Sequence, residues 1–227
     1  MLIVAKGHGR GLRLCIDYKA INKITIPNRY PLTNMDELKE WVRGAKFFNK
    51  IDLQNGYHLI RIKERDEWKT AFRCRYGLFE YTVMTFGLNN VPATFQGISN
   101  HICRDTLNEG MLAFMDDIII WSETLEGLHE RTHEVLRRLR DNRLCIATDK
   151  IEWTQNQIEF LSYTVSGQGV QMTDKKVQTL KNIEPVKSLK DEQHFLGLAN
   201  FYRCFIQDYS KITLLITKST SLEKHEW

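Results

Sequence analysis

The sequence predicts an α+β fold rather than a doubly wound parallel sheet. Strand-like and helix-like segments come in clusters instead of strict βαβ alternation. Two apolar, strand-like runs, Phe47 to Leu53 and Leu112 to Trp121, are each interrupted by acids, which would meet at a common site if the two strands lie side by side. Neither an internal repeat nor a low-complexity tract marks a linker. With 227 residues, 42% hydrophobic and 26% charged, the chain has enough apolar side chain to bury a core, and its composition is not that of a disordered protein.

Residues 5–13 place Lys6, Arg10 and Arg13 among Gly7, Gly9 and Gly11, a flexible basic loop, and Leu14-Cys15-Ile16 reads as a short strand. Asn34 is positioned to cap a helix with Met35, Leu38, Trp41 and Val42 on one face. Phe47 to Leu53 is a buried-strand candidate. From Leu59 to Met84 the pattern predicts strands, with a turn at Tyr76-Gly77. Pro92 suits a first helical turn, and Phe95, Ile98 and Ile102 follow at helical spacing. After the apolar run through Trp121 comes a charged helix with Leu125, Leu128, Val135, Leu136 and Leu139 inward. Phe160 to Val165 reads as a strand and Val177, Leu180 and Ile183 as a helix. Ser188 with Asp191 offers a capping box for a final helix.

The net charge of +4 suits a polyanionic partner without requiring one. Five cysteines, odd in number and without a C-x-x-C pair, argue against a disulfide framework and a zinc ribbon, and point to a reducing compartment. Met1 to Val4 is too short for a signal peptide, and no window reaches the length of a membrane span. A soluble, intracellular chain is the expectation.

The chemistry concentrates in the carboxylates. Asp116 and Asp117 are adjacent inside an apolar run, where charge is costly unless something cancels it. A water-exposed hairpin turn is one solution; a divalent cation held between two strands is the other. Asp52 likewise ends an apolar run, and its plain reading is a strand-end cap. If the two strands lie side by side, Asp52, Asp116 and Asp117 converge. Three carboxylates can hold two magnesium ions roughly 3.5–4 Å apart, the arrangement of two-metal phosphoryl chemistry.

Seven motifs stand in order: LRLCIDYKAIN (Leu12–Asn22), RYPLTNMDEL (Arg29–Leu38), KIDLQNGYHLIRI (Lys50–Ile62), KTAFRCRYGLFEYTVMTFGLNNVPATFQ (Lys69–Gln96), FMDDIIIWS (Phe114–Ser122), EFLSYTVSGQGV (Glu159–Val170) and GLANFYRCFI (Gly197–Ile206). With these motifs the chain closely resembles the reverse transcriptases of gypsy-type long-terminal-repeat retrotransposons, and by extension retroviral ones, from Leu12 to about Ser210. The resemblance implies a right-hand polymerase with an antiparallel-sheet palm, interleaved fingers and a partial thumb. Residues 1–36 and 59–90 would be fingers, 37–58 and 91–168 palm, and 169–227 the start of a thumb or connection. It further implies a fragment of a polyprotein carrying protease, ribonuclease H and integrase, in the cytoplasm or a virus-like particle.

By the same resemblance Asp52, Asp116 and Asp117 are the catalytic metal ligands, for magnesium or manganese. Tyr57 excludes a ribonucleotide 2′-hydroxyl, against the plain reading of a core tyrosine. Arg13, Phe86, Gly87 and Lys150 face the incoming deoxynucleoside triphosphate, Lys150 as proton donor to pyrophosphate or as an ordinary exposed lysine. Asp17, Tyr18, Gln96 and Met115 lie along an RNA or DNA template-primer, and Phe160, Leu161, Ser162 and Tyr163 form the turn that grips the primer. Three positions depart from the family pattern: Phe114 for tyrosine, Thr85 for proline and Ser162 for glycine, the last at a tight turn.

His129-Glu130-Arg131-Thr132-His133 matches the H-E-x-x-H zinc pattern, but it lies in a strongly basic helix with Arg137, Arg138 and Arg140 following. Short patterns of this kind recur by accident. A relic that binds template-primer without polymerising is the main rival. An RNA-to-RNA polymerase fits less well with Tyr57 and the Phe86-Gly87 turn. The oligomeric state is left open.

Overall fold

A computed structural model describes residues 2–5, 12–31, 35–107, 109–183 and 188–219. In chain order the elements are β1 (Leu2–Ala5), β2 (Leu12–Cys15), α1 (Lys19–Ile24), α2 (Met35–Trp41), β3 (Phe47–Asp52) and α3 (Gly56–Leu59). Next come β4 (Phe72–Cys74), β5 (Gly77–Phe79), α4 (Val91–Ile102), β6 (Met111–Phe114), β7 (Asp117–Ser122) and α5 (Leu125–Asp141). The last are β8 (Glu152–Gln155), β9 (Gln157–Phe160), β10 (Tyr163–Ser166), β11 (Gly169–Met172), α6 (Asp174–Lys181), α7 (Leu189–Phe201) and α8 (Tyr209–Ser219). The chain divides into two compact units, one of Met1–Asn34 with Ala45–Asn156, the other of Met35–Gly44 with Gln157–Trp227.

The first unit is organised by a four-stranded antiparallel sheet in the order β6-β7-β3-β8. Its strands are β-branched and aromatic, and Ile118, Ile119, Ile120 and Trp121 are all buried, as a central strand covered on both faces requires. The spacing of Val91, Phe95 and Ser99 gives α4 a buried stripe, and Leu128, Thr132, Val135 and Leu139 do the same for α5. These stripes close over Ile51, Ala113, Ile118 and Ile120 in one core. Thr124 caps α5 by accepting from the Gly127 amide at 3.2 Å, and Arg138 and Arg140 sit in its last turn, where the helix dipole favours cations. Buried Asn49 in β3 donates to Thr132 Oγ1 at 2.7 Å and accepts from the Thr154 amide at 2.7 Å, tying the central strand to α5 and to β8.

The second unit carries a three-stranded meander, β9-β10-β11, with α2 against β11, and the helices α6, α7 and α8. Ser188 caps α7: its Oγ accepts from the Asp191 amide at 3.2 Å and donates to Asp191 Oδ2 at 2.7 Å.

Several sequence expectations need correction. Between Leu59 and Met84 the chain is not continuous strand. Residues 56–59 form the one-turn α3, residues 67–70 a 3-10 turn, and only the short β4 and β5 are paired, with Arg61 bridging to Val83. Leu125 lies at the start of α5 and is 36% exposed, outside its inner face. Phe160 to Val165 is a hairpin instead of one strand, because Leu161 (φ 51°) and Ser162 (φ 67°) both turn left-handed between Phe160 and its partner Tyr163. Ile183 falls beyond α6, and α7 is followed by α8, so the capped helix is not the final one. Asn34, Lys6 and Arg10 lie outside the described residues, as does the side chain of Arg13.

Candidate active site

The two acid-bearing runs become adjacent strands. Antiparallel pairing of β3 with β7 sets Asp52 directly opposite Asp117, and pairing of β6 with β7 sets Phe114 opposite Asp117. Met115 and Asp116 are then the two residues of the hairpin turn. Met115 adopts φ 51°, a left-handed conformation that costs a non-glycine residue energy and persists where surroundings enforce it. The enforcing group is Gln96 on α4. Its Oε1 accepts from the Met115 amide at 2.8 Å, and its Nε2 donates to the Ala113 carbonyl at 2.8 Å and to Asn100 Oδ1 at 2.7 Å. Beyond the turn, the Leu53 amide donates to the Asp116 carbonyl at 2.8 Å, joining it to the end of β3.

Burial pushes the Asp116 carboxyl up to about 6, with Asp52 and Asp117 adding to the rise and Lys150 opposing it. Asp117 is raised as well, chiefly by burial, while Lys50 pulls it down. Asp116 Oδ1 is buried without a hydrogen-bond partner. Space beside it exists because residue 56 is glycine: a Cβ there would stand 2.6 Å from Asp116 Oδ1 and 2.7 Å from Phe95 Cζ. Lys150, on the 3-10 turn Thr148–Lys150, donates to both Asp52 oxygens at 2.9 Å each. The Ala147 amide fixes that turn by donating to the Asp52 carbonyl at 2.8 Å.

These features bear on the expected metal ions. Among the described residues no group of three His, Cys, Asp or Glu side chains is gathered as a ready cation site, and exposed His129 and His133 on α5 acquire no further ligand. The ammonium of Lys150 takes up the Asp52 oxygens instead. The donor set still fits a hard divalent cation: three carboxylates, one with a buried orphan oxygen, and charge repulsion that a cation would relieve.

Other predicted residues fall into two groups. Tyr57 is close to the hairpin, with its hydroxyl 3.5 Å from Met115 Sδ, and its ring is 5.1 Å from Phe86 and 5.4 Å from Phe95; at 8% exposure it also belongs to the core. Gly87 is exposed and left-handed (φ 98°), and its carbonyl accepts from Asn22 Nδ2 at 2.7 Å. Asp17 is exposed and accepts from the Lys19 amide at 2.9 Å at the start of α1. Gln96, by contrast, is 0% exposed, and its side-chain amide is engaged by the hairpin and by Asn100. Tyr18 is likewise buried: its hydroxyl, raised to about 12 by burial and by Tyr81, donates to the Thr70 carbonyl at 3.1 Å. In the second unit Phe160 and Tyr163 are buried, the latter against Tyr202 and Phe205, leaving only Leu161 and Ser162 of the expected primer-gripping turn half-exposed.

The positioning residues Gln96, Gly56 and Asn49 were missed as such, since their partners lie far off in sequence. Only the glycine before Tyr57 offered a signal, as a point of close approach.

Comparison with known proteins agrees with this geometry. The family described as reverse transcriptase (RNA-dependent DNA polymerase) matches residues 5–165. The retrovirus-related Pol polyprotein from transposon 297 of Drosophila melanogaster is 38% identical over 205 residues, covering 90% of this chain and 19% of that protein. The corresponding polyprotein from transposon opus, of the same organism, is 35% identical over 208 residues, covering 92% and 21%. The transposon Tf2-3 polyprotein of Schizosaccharomyces pombe is 36% identical over 213 residues, covering 94% and 16%. This chain thus spans about a fifth of the length of such relatives or less. Among solved structures, a foamy viral protease-reverse transcriptase in complex with double-stranded DNA superposes with a TM-score of 0.87 at 25% identity, covering 99% of this chain and 39% of that one. A foamy viral protease-reverse transcriptase with RNA/DNA hybrid shares the fold, with a TM-score of 0.79 at 24% identity, covering 99% and 30%. The chain belongs to the reverse transcriptase family, on the gypsy-type retrotransposon side that its motif series indicated.

Proposed function

We propose that this chain is the polymerase part of an RNA-directed DNA polymerase. It adds deoxynucleoside monophosphates to a primer 3′-end under direction of an RNA or DNA template, and releases pyrophosphate. The observation that carries the reading is the in-register opposition of Asp52 and Asp117 beside a buried, unpartnered oxygen of Asp116. Two magnesium ions, or manganese, bound there would supply an activated primer hydroxyl and a neutralised triphosphate.

The chain's own residues do the rest. Asp52, Asp116 and Asp117 would hold the ions, with Asp117 the least intimate of the three. Lys150, released from Asp52, stands where an ammonium can protonate departing pyrophosphate. Gly87 allows close backbone approach, Phe86 flanks the nucleotide, and the Tyr57 ring closes the space that a 2′-hydroxyl would need. Met115 borders the primer end, Asp17 lies along the template, and the Leu161-Ser162 turn presents the primer. In this reading residues 37–58 and 91–168 act as palm, 1–36 and 59–90 as fingers, and 169–227 as the beginning of a thumb. Similarity to Pol polyproteins supports neighbours such as protease, ribonuclease H and integrase, and an intracellular or particle-borne setting.

The test is primer extension on poly(rA)/oligo(dT) with magnesium, beside Asp116→Asn. Extension that disappears in the variant supports the reading. Salt-sensitive binding of template-primer without extension would make the chain a relic, and neither binding nor extension would reject the assignment.

A further inference from the structure

A chain of aromatic rings leads away from the Asp116-Asp117 hairpin toward solvent. Tyr57 is 5.1 Å from Phe86, Phe86 is 5.7 Å from His58, and His58 is 6.4 Å from Tyr81. Tyr81 is 5.6 Å from Phe72, which stacks on Phe79 at 5.9 Å and 26°. The outer end is the β4–β5 hairpin, where Phe79 is 45% exposed. Pairing of Arg73 with Leu78 turns these two to the face opposite Phe72 and Phe79. On that face Leu78 is 67% exposed, and at the tip Tyr76 is 75% exposed with the Arg75 guanidinium 4.5 Å above its ring. Trp68, in the 3-10 turn that precedes β4, is 63% exposed, and residues 68–79 contain Lys69, Arg73 and Arg75 but no acid.

Exposed rings gathered in one place mark a binding surface. An apolar protein partner would want the centre of such a patch depleted of charge. Lys69 is paired with Asp66 at 2.7 Å, but Arg73 and Arg75 lie in a hairpin without acids, and rings interleaved with such cations complement a strand whose bases stack while its phosphates are neutralised.

We propose that the β4–β5 hairpin, with the preceding Trp68, is a platform for single-stranded nucleic acid. Bases stack on Tyr76 and Trp68, and Arg73 and Arg75 contact the backbone. That this strand is the unpaired template, led along the ring ladder toward the carboxylates, rests on the polymerase reading; the binding itself does not.

The test is fluorescence anisotropy of the full chain with labelled oligo(rA) or oligo(dA), and separately with a blunt duplex. Tyr76→Ala is expected to weaken single-strand binding at least about fivefold, with Tyr76→Phe retaining it. Arg73→Gln/Arg75→Gln is expected to reduce the slope of log affinity against log salt by about 1.4 for single strands. Duplex affinity and melting temperature should be unchanged, because the altered side chains are exposed. Wild-type protein that binds no single strand, or variants with unaltered affinity and slope, would overturn the proposal. Loss of single-strand binding with duplex binding intact supports it and leaves the polymerase reading standing. The same loss in a chain that neither binds duplex nor extends a primer supports the platform and rejects the polymerase.

Discussion

Replacing Gln96 by methionine keeps the volume and removes every polar atom of the clamp. The Met115 amide then loses its acceptor and the Ala113 carbonyl the Gln96 donor, both at the Asp116-Asp117 hairpin. A buried group left unsatisfied costs about 1–3 kcal/mol. Asn100 is half-exposed and can turn to water, so only two groups count, and Met115 is itself partly accessible. The expected destabilisation is therefore about 2–4 kcal/mol, which for a chain of this size lowers the melting temperature by roughly 5–12 °C. Function should fall further than stability. The left-handed turn at Met115 is enforced by the amide of Gln96, and without it the Asp116 carboxylate is no longer fixed against Asp52. Thermal denaturation and primer extension at a temperature where both proteins are folded measure the two effects, with Asn100→Ala as a control expected to stay within about 1 kcal/mol. A Gln96→Met protein with unchanged melting temperature and unchanged extension would refute the claim that this side chain holds the hairpin.

The raised Asp116 carboxyl makes metal-free stability depend on pH. Its folded value, about 6, exceeds the ordinary 3.8, so its contribution is fully present below 3.8 and is lost as pH rises through 6. Discounted for partial solvent access, the loss is about 1–2 kcal/mol, and metal-free Asp116→Asn should be more stable than wild type by that amount at pH 8 but not at pH 4; parallel profiles would contradict the burial argument. Lys150→Met removes the ammonium from Asp52, and manganese titration followed by electron paramagnetic resonance should show affinity rising severalfold, while stability changes by about 1 kcal/mol or less. Unchanged affinity would mean that the lysine does not compete with the ion. Gly56→Ala pushes a methyl against Asp116 and Phe95, costing about 1–3 kcal/mol, and should abolish the rise in melting temperature that magnesium gives the wild type; a retained magnesium shift would show that the carboxylate did not move.

What could be read from the sequence was whatever its periodicity or local chemistry declared. The hairpin at Asp116-Asp117, the buried strand ending at Asp52 and the helices α4 and α5 each carry a strong local signature, and the structure forms all of them. The region from Leu59 to Met84 carries a weak one: its alternation is imperfect, and a one-turn helix leaves no periodic trace. The turn at Leu161-Ser162 was legible only through the motif resemblance and not from the residues themselves, because neither is the glycine or asparagine that normally announces two left-handed positions. Gln96 reads as an ordinary polar helix residue. Its meaning lies in two backbone groups 17 and 19 residues away, which only the folded chain brings within reach.

Asn49 gives the carboxylate site a proofreader. Side chains alternate along β3, so Asn49 and Asp52 face opposite sides of the sheet. Were β3 to slide by one residue against β7, Asp52 would turn into the layer that holds Ile51, Leu128 and Val135, and Asn49 would leave Thr132 and the Thr154 amide unmatched. A misaligned sheet is thus penalised twice, once by a stranded amide and once by a charge driven among hydrocarbons. The alignment of Asp52 with Asp117 is guarded from the far side of the sheet, by a residue that never touches the chemistry.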